Sequence, residues 1–341
     1  MATHHLVAAP DKFRGTASAP VIAQAIAAGA GRAGWSASCA AMADGGEGLL
    51  EAVGGEARTA KVTGPLGGPV EAEWRLLERL GEDFGPTAVI EMARASGLLL
   101  AGGREHNDPS GATTYGTGEL IAAAVAAGAR RVIVGCGGSA TTDGGTGALR
   151  ALEGVDLSGV ELLIATDVTT PFLDAAIVFG PQKGASPALI DTLGLRLAEI
   201  AAQYQARFGL DVTVLSGAGA AGGLAGCLAM LGGRIVSGFD LVAELVHLDE
   251  LLDHAELVVT GEGRFDASSL AGKVVGGVIE RVRGRHPVLV VAGSVAEGLA
   301  LPEHVEAVSL VERFGEPEAF ARPAELVTEV VASYLACANP A

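Results

Sequence analysis

The chain has 341 residues, 49% of them apolar, with 40 Asp and Glu against 23 Lys and Arg, a formal charge of −17. That length exceeds what one hydrophobic core commonly supports and predicts two α/β domains. The acidic balance argues against non-specific binding to nucleic acid or anionic membrane, so an anionic substrate must meet a local cluster of basic groups.

The first sixty residues read as strand, loop, helix, strand: Leu6 to Ala9, a loop from Pro10 to Thr16, a helix opening near Ser18 with Pro20 in its first turn, and a strand near Ala37 to Met42. Extended, turn-punctuated sequence follows from Lys61 to Val70, then a strand at Ala88 to Met92 and a helix capped at Thr117 and closed by Gly128. Strands are expected at Val132 to Val134 and at Leu162 to Ala165. Ser186-Pro187 opens a helix whose buried stripe is Leu189, Leu193, Leu197, Ile200 and Tyr204. The uncharged stretch from Val212 to Gly233 holds seven glycines and reads as a loop entering a buried helix, not a membrane span. The last ninety residues return to the opening pattern. They give strands at Leu257 to Thr260, Pro287 to Ala292 and Val305 to Leu310, a helix at Lys273 to Arg283, and a final helix from near Pro323.

Strands separated by helices of this length imply parallel pairing with right-handed crossovers. Two strands from the front and three from the back make a five-stranded, doubly wound sheet of Rossmann/flavodoxin-like type, with the middle of the chain inserted as a second α/β domain. The expected division is 1–62 with 250–341 for the first domain and 63–249 for the second, with an active-site cleft between them. Cys39, Cys136, Cys227 and Cys337 show no C-x-x-C spacing and read as small core residues of a reduced, cytoplasmic protein. No basic n-region marks a signal peptide at the N-terminus.

Four glycine-rich loops carry the candidate chemistry. Gly137 to Gly145 follows the Val132 to Val134 strand and includes Ser139 and Asp143, and Ala43 to Gly48 carries Asp44 and Glu47. Gly261 to Asp266 follows the Leu257 strand, and Ser216 to Gly223 is the fourth. Glycine lets bare N–H groups approach an anion, and an aspartate can hold a divalent cation beside phosphate. Asp44, Glu47, Asp143, Asp167 and Asp266 stand at strand exits, where an open α/β sheet gathers ligands. Lys12, Arg14, Lys183, Arg264 and Lys273 lie in glycine-bounded loops or at a helix start. Together these supply the parts of a phosphoryl-transfer site. Gly217 to Gly222 also satisfies G-x-G-x-x-G, which keeps a nicotinamide-dependent oxidoreductase as an alternative, although no acid ending a strand follows about twenty residues on. No P-loop, zinc-ligand spacing or G-x-S-x-G elbow occurs.

Seven segments in order then resemble the signatures of the bacterial type-1 glycerate kinase family. They are Ala9 to Gly15, Met42 to Gly48, Thr114 to Leu120, Gly137 to Gly145, Phe179 to Ala185, Gly217 to Gly223 and Thr260 to Asp266. The resemblance implies ATP- and Mg²⁺-dependent phosphorylation of D-glycerate to 2-phosphoglycerate, with 3-phosphoglycerate as the other regiochemical outcome and a homodimer as an open assembly state. Carried onto this chain, it makes Asp143, Asp266, Lys183 and Lys273 catalytic candidates, with Asp143 or Asp266 as the base. Lys12, Arg14, Asp44, Glu47 and Ser139 become substrate contacts. Gly137, Gly138, Gly144, Gly217, Gly219, Gly222, Gly261 and Gly263 become the nucleotide cradle, and Asp44, Asp143 and Asp167 the metal ligands. The chain departs from the family pattern at Arg14, where Lys is usual, at Thr142, and at Thr169-Thr170. It is also shorter by roughly thirty residues between Gly147 and Leu162, more than an ordinary loop contains. A non-catalytic homologue that binds a small acid or nucleotide is the second alternative.

Overall fold

The computed structural model describes residues 4–78, 85–270 and 273–338. Two compact units emerge, Met1–Asp44 with Glu51–Val53 and Phe239–Ala341, and Gly45–Leu50 with Gly54–Gly238. In chain order the strands are β1 (His5–Ala8), β2 (Ser36–Cys39), β3 (Glu56–Thr63), β4 (Pro69–Leu77), β5 (Thr87–Glu91), β6 (Arg131–Gly135), β7 (Glu161–Ala165), β8 (Arg234–Val236), β9 (Leu257–Thr260), β10 (Arg264–Phe265), β11 (Val288–Ala292), β12 (Ser294–Val295) and β13 (Val305–Ser309).

The first unit is built on a parallel sheet in the order β13-β11-β9-β1-β2. Renumbered by appearance within the unit this is the 2-1-3-4-5 order of a flavodoxin-like sheet, as the alternation of apolar runs and helices led us to expect. β9 and β11 are buried at every position, as central strands covered on both faces must be. On one face helix Ala19–Arg32 packs against helix Pro323–Ala338. Their close approach depends on Gly29, where a Cβ would press on the Thr328 carbonyl and Val331. The Thr328 hydroxyl also donates to Ala25 O at 2.9 Å.

The second unit holds a mixed six-stranded sheet ordered β3-β4-β5-β6-β7-β8, antiparallel as far as β5 and parallel beyond. β3 pairs with β4 along its whole length, which places it in this unit although the sequence division put residues up to 62 in the first. The 115–126 helix starts at Tyr115, not at a Thr117 cap. Thr117 lies inside it, buried, and its hydroxyl donates to Ser96 Oγ at 2.9 Å. The cysteines divide in two. Cys136 and Cys227 are buried, as expected, whereas Cys39 and Cys337 are exposed, the first on edge strand β2 and the second near the end of the last helix.

The long helix Pro187–Phe208 starts where Ser186-Pro187 predicts, with Ser186 Oγ accepting from Leu189 N–H at 3.3 Å. Ser186→Ala removes that cap at the helix start and is expected to lower the free energy of unfolding by about 1 kcal/mol, seen as a lower melting temperature in thermal unfolding.

Candidate active site

In a parallel sheet, loops leaving the carboxyl ends of the strands gather around the point where strand order reverses. In the first unit that point lies between β1 and β9. The loop after β1 carries Asp11, Lys12 and Arg14, and the loop after β9 carries Glu262, Arg264 and Asp266. A backbone bond and a side-chain bond knit the two together, Asp11 N–H to Gly261 O at 2.9 Å and the Thr260 hydroxyl to Ala9 O at 2.7 Å. Gly261 has no room for a side chain, because a Cβ would collide with the Val291 carbonyl.

These loops border a cavity of about 620 Å³ whose wall, among the described residues, comes entirely from the first unit. Lys12, Arg14, Arg264 and Lys273 bring positive charge to it, and Asp11, Asp44, Glu262, Asp266 and Glu316 bring carboxylates. The wall is of mixed charge, and in a chain of charge −17 its four cations are the groups that can meet an anionic substrate. Val311, Ala319 and the exposed ring of Phe320 add apolar surface.

The carboxylates of this wall differ sharply. Asp266 is half-exposed, and its Oδ1 accepts from the Ser268 hydroxyl at 2.6 Å and from Ser268 N–H at 2.9 Å, which hold its pKa below the usual carboxylate range. Burial pushes Asp11 up to about 6 against the pull of Lys12, with the Asp44 carboxylate adding to the rise. Burial also pushes Glu262 up to about 7, opposed by the Ser269 hydroxyl and reinforced by the Asp11 charge. Neither Asp11 nor Glu262 was among the residues the sequence singled out. Both stood inside recognised motifs, beside Lys12 and Asp266, and only burial sets them apart.

The second unit treats its candidates differently. Asp143 is 2% exposed. Its Oδ2 accepts from Thr114 N–H at 2.9 Å, the Thr114 hydroxyl at 2.8 Å and Gly147 N–H at 3.1 Å, and its Oδ1 from Gly145 N–H at 3.0 Å. Gly144 and Gly145 take φ of 63° and 78°, which turns the following N–H groups back onto this carboxylate. With four donors in place, Asp143 has little capacity left for a metal or a substrate proton. Lys183 is equally buried, and its ammonium donates to Thr141 O at 2.6 Å. Burial lowers its pKa to about 7, partly offset by the nearby Asp143 charge. Ser139 is 9% exposed in a backbone bridge to Gly97. Asp167 Oδ1 accepts from Gly238 N–H at 2.8 Å, and Glu47 is exposed.

The glycines of this unit serve close packing. A Cβ on Gly137 would press on Gly46, one on Gly219 on the Pro171 carbonyl, and one on Gly222 on the Thr141 carbonyl, while Gly138 and Gly217 adopt positive φ. Gly144 N–H donates to Gly222 O at 2.9 Å, so two of the glycine loops bind each other. The Gly217 to Gly223 loop follows a short 3₁₀ turn and its glycines are packed inward, so it lacks the strand-to-helix setting of a dinucleotide fingerprint.

The structure therefore brings Lys12, Arg14, Asp44, Gly263, Asp266 and Lys273 to one cavity in the first unit, and packs Asp143, Lys183, Ser139 and their glycines within the second. Among the described residues no three His, Cys, Asp or Glu side chains are grouped for a metal ion. Asp44, in a cavity wall, suits a cation that also takes phosphate oxygens, as Mg²⁺ does with one or two carboxylates.

Comparison with known proteins agrees with this architecture. The sequence matches the glycerate kinase family over residues 6–157 and 154–338. It is 39% identical over 336 residues to the glycerate 2-kinase of Escherichia coli K12, covering 87% of each chain. It is 38% identical over 351 residues to a glycerate kinase of Halalkalibacterium halodurans, covering 90% of this chain and 91% of the other. A crystal structure from Salmonella typhimurium LT2 assigned as glycerate kinase 2 superposes with a TM-score of 0.81 at 35% identity over 98% of both chains. The chain belongs to the glycerate kinase family of enzymes.

Proposed function

We propose that this enzyme is a type-1 glycerate kinase that transfers the γ-phosphoryl group of ATP to the 2-hydroxyl of D-glycerate, giving 2-phosphoglycerate. The observation that carries the reading is the first unit's cavity, where four cations meet the buried carboxylate of Glu262 and the half-buried carboxylate of Asp11 at the carboxyl ends of a flavodoxin-like sheet. Cations there answer the charges of a carboxylate substrate and of transferring phosphate. Lys12 and Arg14 hold the acceptor's carboxylate, and Arg264 and Lys273 face the phosphates. Mg²⁺, held in part by Asp44, would neutralise phosphate charge when bound. Asp143 and Lys183 fix the 137–145 loop from within the second unit. The four unpaired thiols fit a reducing cytoplasm.

A coupled assay of ADP release tests the reading. Release is expected with D-glycerate and Mg²⁺, and abolished by a chelator or by omitting glycerate. ADP release that ignores glycerate would contradict the acceptor assignment. Lys12→Met is expected to raise KM for glycerate about tenfold with little change in kcat, the pattern of an interaction made equally in ground and transition states. A change confined to kcat would move Lys12 out of the acceptor's seat.

A further inference from the structure

Resting on the kinase reading, we infer that Glu262 is the base that takes the proton from the acceptor's hydroxyl. Glu262 lines the cavity and is 9% exposed, and its Oε1 has no hydrogen-bond partner among the described residues. A buried acceptor without a donor is costly, and its persistence in a cavity wall calls for a ligand that supplies one. A substrate hydroxyl does so. Asp266 and Asp143, the two bases named from the motifs, and neighbouring Asp11 do not show such an orphaned oxygen. Asp266 Oδ1 takes two bonds from Ser268, Asp11 Oδ1 takes the Lys12 N–H at 2.7 Å, and Asp143 takes four donors.

The carboxylate also has a rigid mount. Glu262 stands two residues past the end of β9, and its own carbonyl accepts from Gly293 N–H at 3.0 Å, so the loops after β9 and β11 fix its backbone. A catalytic group held this way needs no rearrangement to meet the hydroxyl.

The charged groups around it set its readiness. Asp11 acts on it from the loop after β1, with Lys12 beside Asp11 in the same cavity wall, Asp266 and the Ser269 hydroxyl from its own loop, and Lys273 from the helix start. Their sum, dominated by burial, leaves a carboxylate that titrates at about 7. A base is most effective when it titrates near the operating pH. In the step itself the acceptor's O–H bond breaks and its proton passes to Glu262. The oxygen bonds to the γ-phosphorus of ATP, and the bridging P–O bond breaks with its electron pair leaving on ADP.

The test compares wild-type enzyme, Glu262→Gln and Asp11→Asn, following ADP release against pH between 5 and 9 at saturating and limiting glycerate. Glu262→Gln is expected to lower kcat by about 10²–10⁴-fold, with KM for both substrates changed less than about threefold. Its residual rate should lack the acid limb expected of the wild type near pH 7. Asp11→Asn removes a neighbouring negative charge and should move that limb to lower pH while the enzyme remains active. This readout does not depend on the Gln variant folding. A Gln variant within tenfold of the wild-type kcat, or an acid limb unmoved by Asp11→Asn, would overturn the assignment of the base alone. Wild-type enzyme that transfers no phosphoryl group to glycerate at any pH would overturn the kinase reading with it.

Discussion

Asp143→Asn is expected to destabilise the second unit by about 3 kcal/mol, a loss visible as a lower melting transition before any effect on turnover is considered. The four groups around this carboxylate are all donors: three backbone N–H groups and the Thr114 hydroxyl. An asparagine must aim its own NH₂ at one of them. The gentlest orientation faces Gly145 N–H and keeps the carbonyl oxygen on the other three, which still forfeits one bond and buries two opposed donors. The negative charge that partly supports Lys183 disappears as well. Thermal or denaturant unfolding checks this. An Asn variant with unchanged stability and a rate reduced by orders of magnitude would return Asp143 to the catalytic role that its motif suggested.

Glu262→Gln should do the reverse and raise stability at pH 8 by about 1–3 kcal/mol, allowing for partial solvent screening, which is a few degrees in melting temperature. The sign follows from proton linkage. Burial raises the folded-state pKa of Glu262 from 4.5 to about 7, so between those values the folded chain binds more protons than the unfolded one. Stability from this group is complete below about pH 4.5 and falls as pH rises towards 7, beyond which the buried charge weighs fully on the fold. Glutamine cannot ionise. Its advantage should therefore vanish near pH 4.5 and be constant above about pH 7.5. Melting curves of both proteins across that range test it, and equal melting temperatures at pH 8 would show that the Glu262 carboxylate is better solvated than its position indicates. A residue whose ionised form strains the fold and serves the reaction is the trade expected of an active site.

The sheet of the first unit was legible because its strands are continuous apolar runs, such as Leu257-Val258-Val259 and Val288-Leu289-Val290-Val291, alternating with helices of strong apolar periodicity. The hairpin of β3 and β4 was legible only as extended sequence. β3 is largely exposed, so Glu56 to Lys61 lacks the apolar alternation that marks a half-buried strand, and the sheet's edge was invisible to patterning. The site divides in the same way. Lys12, Arg14, Asp44, Asp266 and Lys273 were found because charge inside glycine-rich loops is conspicuous, and the fold does bring them to one cavity.

Asp143 shows the limit of that reasoning. Paired glycines beside an aspartate describe equally well a loop that wraps a phosphate and a loop that wraps the aspartate itself. Sequence does not distinguish them, since the difference lies in whether the N–H groups point outward or, as here, onto Asp143. Asp11 and Glu262 illustrate the converse. Their types are ordinary for βα turns, and what singles them out is desolvation by strands and loops distant in the chain.

The proposed activity places a phosphoryl group on the 2-hydroxyl of D-glycerate. Phosphorus NMR of a reaction containing enzyme, ATP, Mg²⁺ and D-glycerate tests it most directly, because product identity and regiochemistry appear in one spectrum. Expected are loss of the γ-phosphate signal, growth of ADP, and a phosphomonoester resonance split into a doublet by the single proton on the carbon bearing the 2-oxygen. A triplet from the methylene at C3 would correct the regiochemistry, and inorganic phosphate as the sole new signal would rule out glycerate as the phosphoryl acceptor.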